Sequence, residues 1–312
     1  EFYTFDNNDG YTTFNSNLEK ITKYNFSKIK NYHLFDPNLV FYKNNVVFFD
    51  NKGSILSFGN DSKLIWKINN YSKEEKKLGP LITLKKIENK LIVTDNFANI
   101  YALDINSGKV LWTKKNNIPF NSEIKISKNK IFVIDTSNNL NCFSLNDGKK
   151  IWSHVTEKSF INSFKKLSII VKNDLVVFNN SIGEITGLDI KNGSLMWQLS
   201  TQTSQSFEDI MSLKTSRIIE NQNSIYFSNN KNQFYSIDLL TGSINWIQEI
   251  NSDLKPSTIG NLLFTISLDG YFFIIDKNNG NILRITSIFN NTKLRKKSGI
   301  YPTGFIFNHN DI

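Results

Sequence analysis

The chain has 312 residues, of which 39% are hydrophobic and 13% aromatic, a composition typical of an ordered globular protein. Its 37 basic and 28 acidic residues give a formal net charge of +9. The basic residues are scattered, apart from short runs at residues 73–77 and 293–297 that are typical of solvated loops, so they do not predict a nucleic-acid-binding face. No run of about 18 apolar residues predicts a membrane-spanning helix. The single cysteine, Cys142, excludes an internal disulfide or a CxxC site, and its alternating neighbours predict a half-buried strand position.

One short motif recurs along the chain, in copies roughly 40 to 50 residues apart. Its best copy ends at Trp112 and has an Asp, a Gly four residues later and a Trp four residues after that. A copy at residues 6–14 has Phe14 in the place of Trp, and the last copy has Arg284 there. In chain order, the positions that define the motif are Trp66, Asp104, Gly108, Trp112, Gly148, Trp152, Asp189, Gly193, Trp197, Asp238, Gly242, Trp246, Asp276 and Gly280.

Short apolar or alternating runs lie between the copies, for example residues 90–94, 100–103 and 110–112, and clusters of Asn, Asp and Gly separate them. Such runs predict strands joined by hairpins. In the motif, Asp can accept backbone N–H bonds across a turn, Gly supplies a positive φ, and Trp on the outermost strand can fill the gap against a neighbouring sheet. No segment has a helical period. The sequence therefore predicts an all-β fold, a β-propeller of four-stranded blades.

The number of copies bears on domain organisation. Six full copies are visible, with half copies at residues 2–14 and 299–312. We expect a single propeller domain over residues 1–312 that holds about seven blades. The half copies either pair with each other to complete the seventh blade or continue into further sequence. We favour the second reading, in which the domain is truncated at both ends and the full protein has about eight blades.

The pattern Ala-Leu-Asp-x-x-Ser-Gly-x-x-x-Trp at residues 102–112 resembles the repeat of the PQQ-like, quinoprotein-type β-propellers. The dehydrogenases of this family hold their quinone between a Trp and two adjacent cysteines, beside a Ca²⁺ ion. This chain has one Cys, and its five Trp residues all occupy the motif position. His33, His154 and His309 are far apart and show no zinc-ligand spacing. The resemblance without these groups implies no cofactor, no metal site and no enzyme.

Among PQQ-like propellers without cofactor residues, the order and spacing of the Trp-marked repeats resemble the BamB family. Its members are lipoprotein subunits of the outer-membrane β-barrel assembly machinery. The resemblance implies a periplasmic scaffold, peripheral to the outer membrane, held by a lipid anchor outside this chain and acting as a monomer within a complex. The implied partners are the periplasmic domains of a BamA-like insertase and nascent outer-membrane proteins.

In the BamB family, loops of two neighbouring blades contact the insertase, one with an apolar-x-apolar-Arg element and the other with acidic residues. The loop after Trp152 has Ile161 in the first apolar place, but Ser163 follows and Phe164 stands where Arg is expected. The acids after Trp197 also miss the expected places. Apolar side chains in polar loops nevertheless suit an interface. The predicted partner-binding residues are Phe160, Ile161, Phe164, Lys165, Phe207, Glu208 and Asp209.

Two alternative functions remain open on the sequence alone. One is a periplasmic binding or sensing propeller with another partner. The other is a fragment of a PQQ-dependent dehydrogenase, which the single Cys and the absence of a spare Trp disfavour.

Overall fold

The structure is a computed structural model that describes residues 39–156, 166–201, 213–289, 301–302 and 304–305. These residues form two compact units, the first over residues 39–156 and the second over the remainder. Each unit contains three sheets of four antiparallel strands. The predicted all-β fold of four-stranded blades is therefore confirmed, and the described residues supply six blades.

The first unit contains three blades. The first blade is formed by β1 (Val40–Tyr42), β2 (Asn45–Phe49), β3 (Ile55–Gly59) and β4 (Leu64–Ile68). The second is formed by β5 (Ile82–Ile87), β6 (Lys90–Asp95), β7 (Asn99–Asp104) and β8 (Val110–Lys115). The third is formed by β9 (Lys125–Ser127), β10 (Lys130–Ile134), β11 (Leu140–Ser144) and β12 (Lys150–His154).

The second unit contains the other three blades. The fourth is formed by β13 (Ile169–Lys172), β14 (Leu175–Asn179), β15 (Glu184–Asp189) and β16 (Leu195–Ser200). The fifth is formed by β17 (Ile219–Asn221), β18 (Ser224–Asn229), β19 (Gln233–Asp238) and β20 (Ile244–Gln248). The sixth is formed by β21 (Ser257–Ile259), β22 (Leu262–Ile266), β23 (Tyr271–Asp276) and β24 (Ile282–Ser287).

Every blade is a meander, because strands that neighbour each other in a sheet follow each other in the chain. The pairing of the third and fourth strands shifts register at the same point in each blade, for example between Ala102 and Leu103 in the second. A bulge of this kind increases the local twist of a strand. The outermost strand is therefore turned relative to the inner strands just before the motif turn.

The second and third strands of the blades carry the core. Leu91, Ile92 and Val93 of β6 are all fully buried, so both faces of that sheet are covered and the strand is a continuous apolar run. Within the first unit, Ile92 belongs to the same buried cluster as Ile131 and Val133 of the third blade. Neighbouring blades of a unit thus share a core, as expected of repeats that cannot bury both faces alone.

The described residues also contain one helix, α1 (Lys73–Leu78), where the sequence predicted only a solvated loop. Ser72 and Glu75 form a reciprocal capping box at its start, and Gly79 ends it with a φ of 77°. None of its side chains is buried. A six-residue helix without a buried face has no 3.6-residue period to detect, so only the capping residues could have predicted it.

Candidate functional site

The repeat motif forms the turn between the third and fourth strands of a blade. In the second blade, Asp104 Oδ1 accepts hydrogen bonds from Ser107 N at 2.8 Å and from Ser107 Oγ at 2.7 Å. The N–H of Gly108 donates to the Asp104 carbonyl, and Gly108 has a φ of 71°, a region that favours glycine. The bonds from Ser107 hold the pKa of Asp104 below its ordinary value. The charged carboxylate therefore stabilises the turn.

The other blades build the same turn with small changes. Asp189, Asp238 and Asp276 accept backbone N–H bonds from their own turns. Ser144 replaces Asp in the third blade, and its hydroxyl accepts a bond from the N–H two residues later. Ser62 takes the left-handed place in the first blade with a φ of 63°. The motif glycines have φ values between 68° and 77° at Gly108, Gly148, Gly193, Gly242 and Gly280.

In the first unit, the motif Trp of one blade packs on the motif turn of the next. The Trp66 indole N–H donates to the Ile105 carbonyl at 3.0 Å, and the Trp112 N–H donates to the Leu145 carbonyl at 3.2 Å. A Cβ added at Gly108 would lie 2.7 Å from the Trp66 ring. The turn therefore needs Gly both for its backbone conformation and for the space that the ring occupies.

The second unit repeats this contact. Trp197 donates to the Leu239 carbonyl and Trp246 donates to the Lys277 carbonyl, both at 3.0 Å. Trp152 of the first unit differs, because its indole N–H has no acceptor in the described parts of the chain. In the four copies whose indole N–H has a carbonyl acceptor, the adjacent blade therefore contacts the Trp ring and accepts the hydrogen bond of the N–H.

A second set of turns, between the second and third strands, was not predicted. Asp95 Oδ1 accepts hydrogen bonds from the N–H groups of Phe97 at 2.9 Å and Asn99 at 2.8 Å, and Ala98 between them has a φ of 66°. The equivalent first residues are all polar and buried: Asp50, Asp95, Asp135, Asn180, Asn229 and Ser267. In each turn, the polar residue is followed three places later by a residue in the left-handed backbone conformation. The type of that residue varies between blades, so the sequence shows no constant letter there: Gly53, Ala98, Asn138, Gly183, Asn232 and Gly270.

Asp95 is the centre of a buried hydrogen-bonded cluster in the first unit. Its Oδ2 accepts bonds from Tyr71 Oη at 2.7 Å and from Asn99 Nδ2 at 2.9 Å. Burial raises the pKa of Tyr71 and of Tyr101 well above the usual range, so both keep their protons. Since Tyr71 follows β4 and Asp95 ends β6, this bond fixes the connection between the first two blades. We therefore assign the cluster a structural role.

Lysines inside the second unit also join neighbouring blades. Lys172 on β13 forms an ion pair with Glu220 on β17 at 2.6 Å. Lys277 Nζ donates to Asn221 Oδ1 at 2.6 Å, and burial lowers the pKa of Lys277. Lys277 is 2% exposed and is therefore withdrawn from the surface, whereas the Lys172 side chain remains 28% exposed.

The predicted partner-binding residues all fall outside the described ranges: Phe160, Ile161, Phe164, Lys165, Phe207, Glu208 and Asp209. The points where their loops leave the fold are described. Thr156 Oγ1 donates to the Asn138 carbonyl at 3.0 Å, and Thr201 Oγ1 donates to the Gly183 carbonyl at 2.6 Å. Both acceptors are left-handed residues of the second set of turns. The two loops therefore start at equivalent, anchored points of their blades.

The points where the two loops return to the fold are hydrogen-bonded together within the second unit. Ser168 N donates to Asn179 Oδ1 at 2.7 Å, and Asn179 Nδ2 donates to Thr215 Oγ1 at 2.9 Å. The N–H of Ile218 also donates to Ser168 Oγ at 3.1 Å. One buried amide thus joins the residues that follow 157–165 to those that follow 202–212.

The structure describes the single cysteine and one of the three histidines. Cys142 on β11 is fully buried rather than half-buried, and burial raises the pKa of its thiol to about 12. No group of three or more His, Cys, Asp or Glu that could hold a metal ion occurs in the described ranges. His154 lies on β12, whereas His33 and His309 fall outside them. No helix in the described part of the chain is long and apolar enough to cross a membrane.

Four-stranded blades joined through Asp-Gly-Trp turns define the β-propellers with PQQ-like repeats. A family model described as outer membrane protein assembly factor BamB matches residues 51–286. The chain therefore belongs to the BamB family. A comparison with curated proteins finds no match.

Solved structures share this fold at low sequence identity. The crystal structure of BamB from Moraxella catarrhalis is 15% identical with a TM-score of 0.63, and the match covers 80% of this chain and 72% of that one. A quinohemoprotein alcohol dehydrogenase, ADHIIG from Pseudomonas putida HK5, is 14% identical with a TM-score of 0.51 over 67% of this chain and 41% of that one. At such identities both likenesses show the fold alone.

Proposed function

We propose that this protein is a non-enzymatic periplasmic scaffold that binds the insertase of the outer-membrane β-barrel assembly machinery. Its membership of the BamB family over residues 51–286 supports this function. In this proposal the protein is a monomer within a complex, peripheral to the outer membrane, and a lipid anchor outside this chain holds it there. The partner is the periplasmic part of a BamA-like insertase.

The observation that carries the proposal is the hydrogen bonding of Asn179 to both loop bases. Asn179 is 2% exposed, and its amide bonds Ser168 on one side and Thr215 on the other. A buried amide with both ends satisfied holds its neighbours in a fixed arrangement. Ser168 and Thr215, which follow residues 157–165 and 202–212 in the chain, therefore lie close together, and we infer that one partner domain contacts both segments.

The residues of these two loops suit a protein interface. Ile161, Phe164 and Phe207 supply the large apolar anchors that dominate binding energy when a partner covers them. Lys165 and Glu208 supply charges of both signs, which at the rim of an interface act mainly on the association rate. We therefore expect an apolar centre with a charged border.

The test replaces the three anchors together, as Ile161→Ser, Phe164→Ser and Phe207→Ser. The measurement is the affinity for the purified periplasmic domains of the cognate BamA-like insertase. We expect a loss of roughly thirtyfold for each true anchor, since a hot spot contributes about 2 kcal/mol or more. The melting temperature should remain almost unchanged if these side chains serve the interface and not the core.

A matched control removes three exposed apolar residues elsewhere, as Leu64→Ser, Leu111→Ser and Ile151→Ser, whose exposures are 50%, 47% and 47%. We expect this control to bind the insertase normally. Equal binding by both triple variants would show that the site is wrong. If the unmodified protein does not capture the insertase at all, the proposed function itself is wrong.

The likeness in fold to a quinohemoprotein alcohol dehydrogenase supports a second candidate, a quinone-binding enzyme. The sequence argues against it, because one Cys cannot form the pair of adjacent cysteines that the resemblance requires. A binding or sensing propeller with another partner is the outcome that a negative insertase result would favour.

A further inference from the structure

The first strands of the first two blades bring two lysines to one aromatic ring. Tyr42 ends β1, and the centroid of its buried ring lies 5.1 Å from Lys43 Nζ and 5.5 Å from Lys86 Nζ. Lys43 follows Tyr42 in the chain, whereas Lys86 lies on β5 of the second blade. Neither lysine forms an ion pair with any residue that the structure describes. Two positive charges therefore meet between these blades without a described carboxylate to balance them.

Hydrogen bonds fix the surroundings of this ring. Tyr42 Oη donates to Asn89 Oδ1 at 2.8 Å, and the Asn89 carbonyl accepts a bond from Ile105 N at 2.9 Å. Because the side-chain oxygen of Asn89 accepts from Tyr42, the NH2 group of the same amide remains available as a donor, and it donates to no described residue. Lys43 and Asn89 are exposed, and Lys86 is half-buried. A ligand from solvent can therefore reach all three side chains.

The equivalent position between the fourth and fifth blades shows how the chain balances a cation there. Lys172 is the last residue of β13 and corresponds to Tyr42, the last residue of β1. Glu220 is second to last in β17 and corresponds to Lys86 in β5. Lys172 and Glu220 form an ion pair at 2.6 Å. In that pair of blades the next blade supplies an acid, whereas beside Tyr42 the next blade supplies a lysine.

The two other positions of this kind within the described units are also satisfied. Between the second and third blades the position is occupied by Ile87 and Ile126, which pack against one apolar cluster. Between the fifth and sixth blades, Asn221 Oδ1 accepts a hydrogen bond from Lys277 Nζ at 2.6 Å. Among the positions that the structure describes within the units, the one beside Tyr42 is therefore the one that leaves lysines without an acceptor.

We propose that Lys43, Lys86 and Asn89 bind a phosphate group, and we call these three residues the phosphate site. A phosphate monoester carries nearly two negative charges at neutral pH, which matches the two ammonium groups. Lysine binds phosphate as a point charge on a flexible stem, so both side chains can turn toward one anion. The NH2 group of Asn89 supplies a further donor to a phosphate oxygen.

Charge selects this ligand. Two ammonium groups repel a metal cation, and a single carboxylate balances only one of them. The inference goes beyond the proposed function, because the phosphate site contains no residue of the segments predicted to bind the insertase. A phosphate group can belong to a small soluble molecule or to a lipid headgroup, and the experiment distinguishes these two sources.

Isothermal titration calorimetry with inorganic phosphate, at constant ionic strength, tests the phosphate site in the intact protein. The double variant Lys43→Gln and Lys86→Gln removes both positive charges, and we expect it to bind phosphate at least about tenfold more weakly. The control Lys109→Gln and Lys115→Gln removes two exposed lysines of the second blade, and should change the affinity by less than about twofold. Thermal unfolding checks that both double variants fold.

A charge reversal tests the physical reason for the site. Lys86→Glu places an acid where Glu220 stands in the fifth blade, so that Lys43 gains a partner within the chain. We expect this variant to bind phosphate at least about tenfold more weakly and to melt no lower than the unmodified protein. Lys86→Arg keeps the charge and should retain the affinity within about threefold. If the double variant of the phosphate site fails to fold, Lys86→Glu replaces it.

Sedimentation with vesicles of phosphatidylcholine and phosphatidic acid, whose headgroup is a phosphate monoester, identifies the source of the phosphate. Vesicle binding that is lost in the Lys43→Gln and Lys86→Gln variant would assign the phosphate to a lipid headgroup. Binding of inorganic phosphate without vesicle binding would assign it to a soluble molecule. The proposal is wrong if the intact protein binds neither probe, or if the site variant and its control lose binding equally. Insertase capture is measured separately, so failure of one proposal leaves the other result interpretable.

Discussion

Trp197 shows how one residue of the repeat joins two blades. Its side chain is buried, its ring covers Gly242, and its indole N–H donates to the Leu239 carbonyl at 3.0 Å. Leu239 itself is 1% exposed, so water cannot replace the donor if the indole is lost. Leaving a buried acceptor unpaired costs about 1 to 3 kcal/mol. Trp197 therefore stabilises the contact between the blades through its hydrogen bond as well as through packing.

We expect Trp197→Phe to lower the free energy of unfolding by about 1 to 3 kcal/mol more than Trp152→Phe does. Both changes remove the same atoms from the same place in the repeat, but Trp197 is buried whereas Trp152 is half-buried, and the Trp152 N–H has no acceptor in the described residues. Urea unfolding followed by circular dichroism measures both values. Equal losses for the two variants would show that the indole hydrogen bond contributes nothing beyond packing.

The motif residues could be predicted from the sequence because their spacing is fixed by a turn. Asp104 and Gly108 stand four residues apart, and the structure has a turn there with the carboxylate capping it. The buried residues of the second set of turns could not be predicted in the same way. Asp95, Asn180 and Ser267 accept the same kind of backbone bond with different groups, so no single letter repeats.

The hairpin turns between first and second strands illustrate strain at the scale of an element. In the fifth blade Gln222 and Asn223 form a two-residue turn with φ values of 49° and 67°. Gly260 occupies the place of Gln222 in the sixth blade with a φ of 57°, and no atom lies within 4 Å of a Cβ built on it. The first place of the turn is thus filled once by a strained residue and once by glycine.

This pair gives a reciprocal prediction. Gln222→Gly should raise the free energy of unfolding by about 0.5 to 1 kcal/mol, and Gly260→Gln should lower it by a similar amount, because left-handed strain outweighs the extra chain entropy of glycine. Gln222 is exposed, so packing does not obscure the result. Chemical denaturation measures both. Destabilisation by Gln222→Gly would mean that its side chain makes a contact that matters more than strain.

Some elements could be predicted from the sequence and others could not. The strands of the second and third positions were predictable because burial on both faces makes them apolar runs, as in residues 91–93. The turns between the first and second strands could not be predicted from the sequence. An Asn in the second place of the turn, as at Asn223, is not distinctive in a chain so rich in Asn. The helix α1 was missed because its only signals are Ser72, Glu75 and Gly79.

At the scale of the whole molecule, shared cores explain why the fold is easier to predict than the partner site. Consecutive blades within each unit contribute to common buried clusters, so every repeat must keep the same apolar positions. Residues 157–165 and 202–212 lie outside the described ranges, so no shared core supports a prediction about them. Ser163 and Phe164 depart from the docking pattern that the family resemblance implies, and only a binding measurement can test these segments.

The aromatic side chains of the propeller also bear on whether the protein can hold a quinone. A stacked quinone needs a flat ring with a free face, and the resemblance to the quinoprotein dehydrogenases implies two adjacent cysteines on the other side. The chain has five Trp residues and one Cys. Four of these Trp residues donate to a carbonyl of the adjacent blade, and Trp66, Trp112, Trp197 and Trp246 each lie against a motif glycine of that blade. The rings of these four Trp residues therefore pack between adjacent blades.

We therefore expect the purified protein to bind no pyrroloquinoline quinone in the presence of Ca²⁺, and to show no dye-linked dehydrogenase activity. Titration calorimetry and dye reduction are the measurements, with a quinohemoprotein alcohol dehydrogenase as the positive control. A stoichiometric heat of binding would contradict the expectation and would require a stacking site that does not use the motif Trp residues. Repeating the titration with Trp152→Phe would then show whether Trp152, whose indole N–H has no acceptor in the described residues, supplies it.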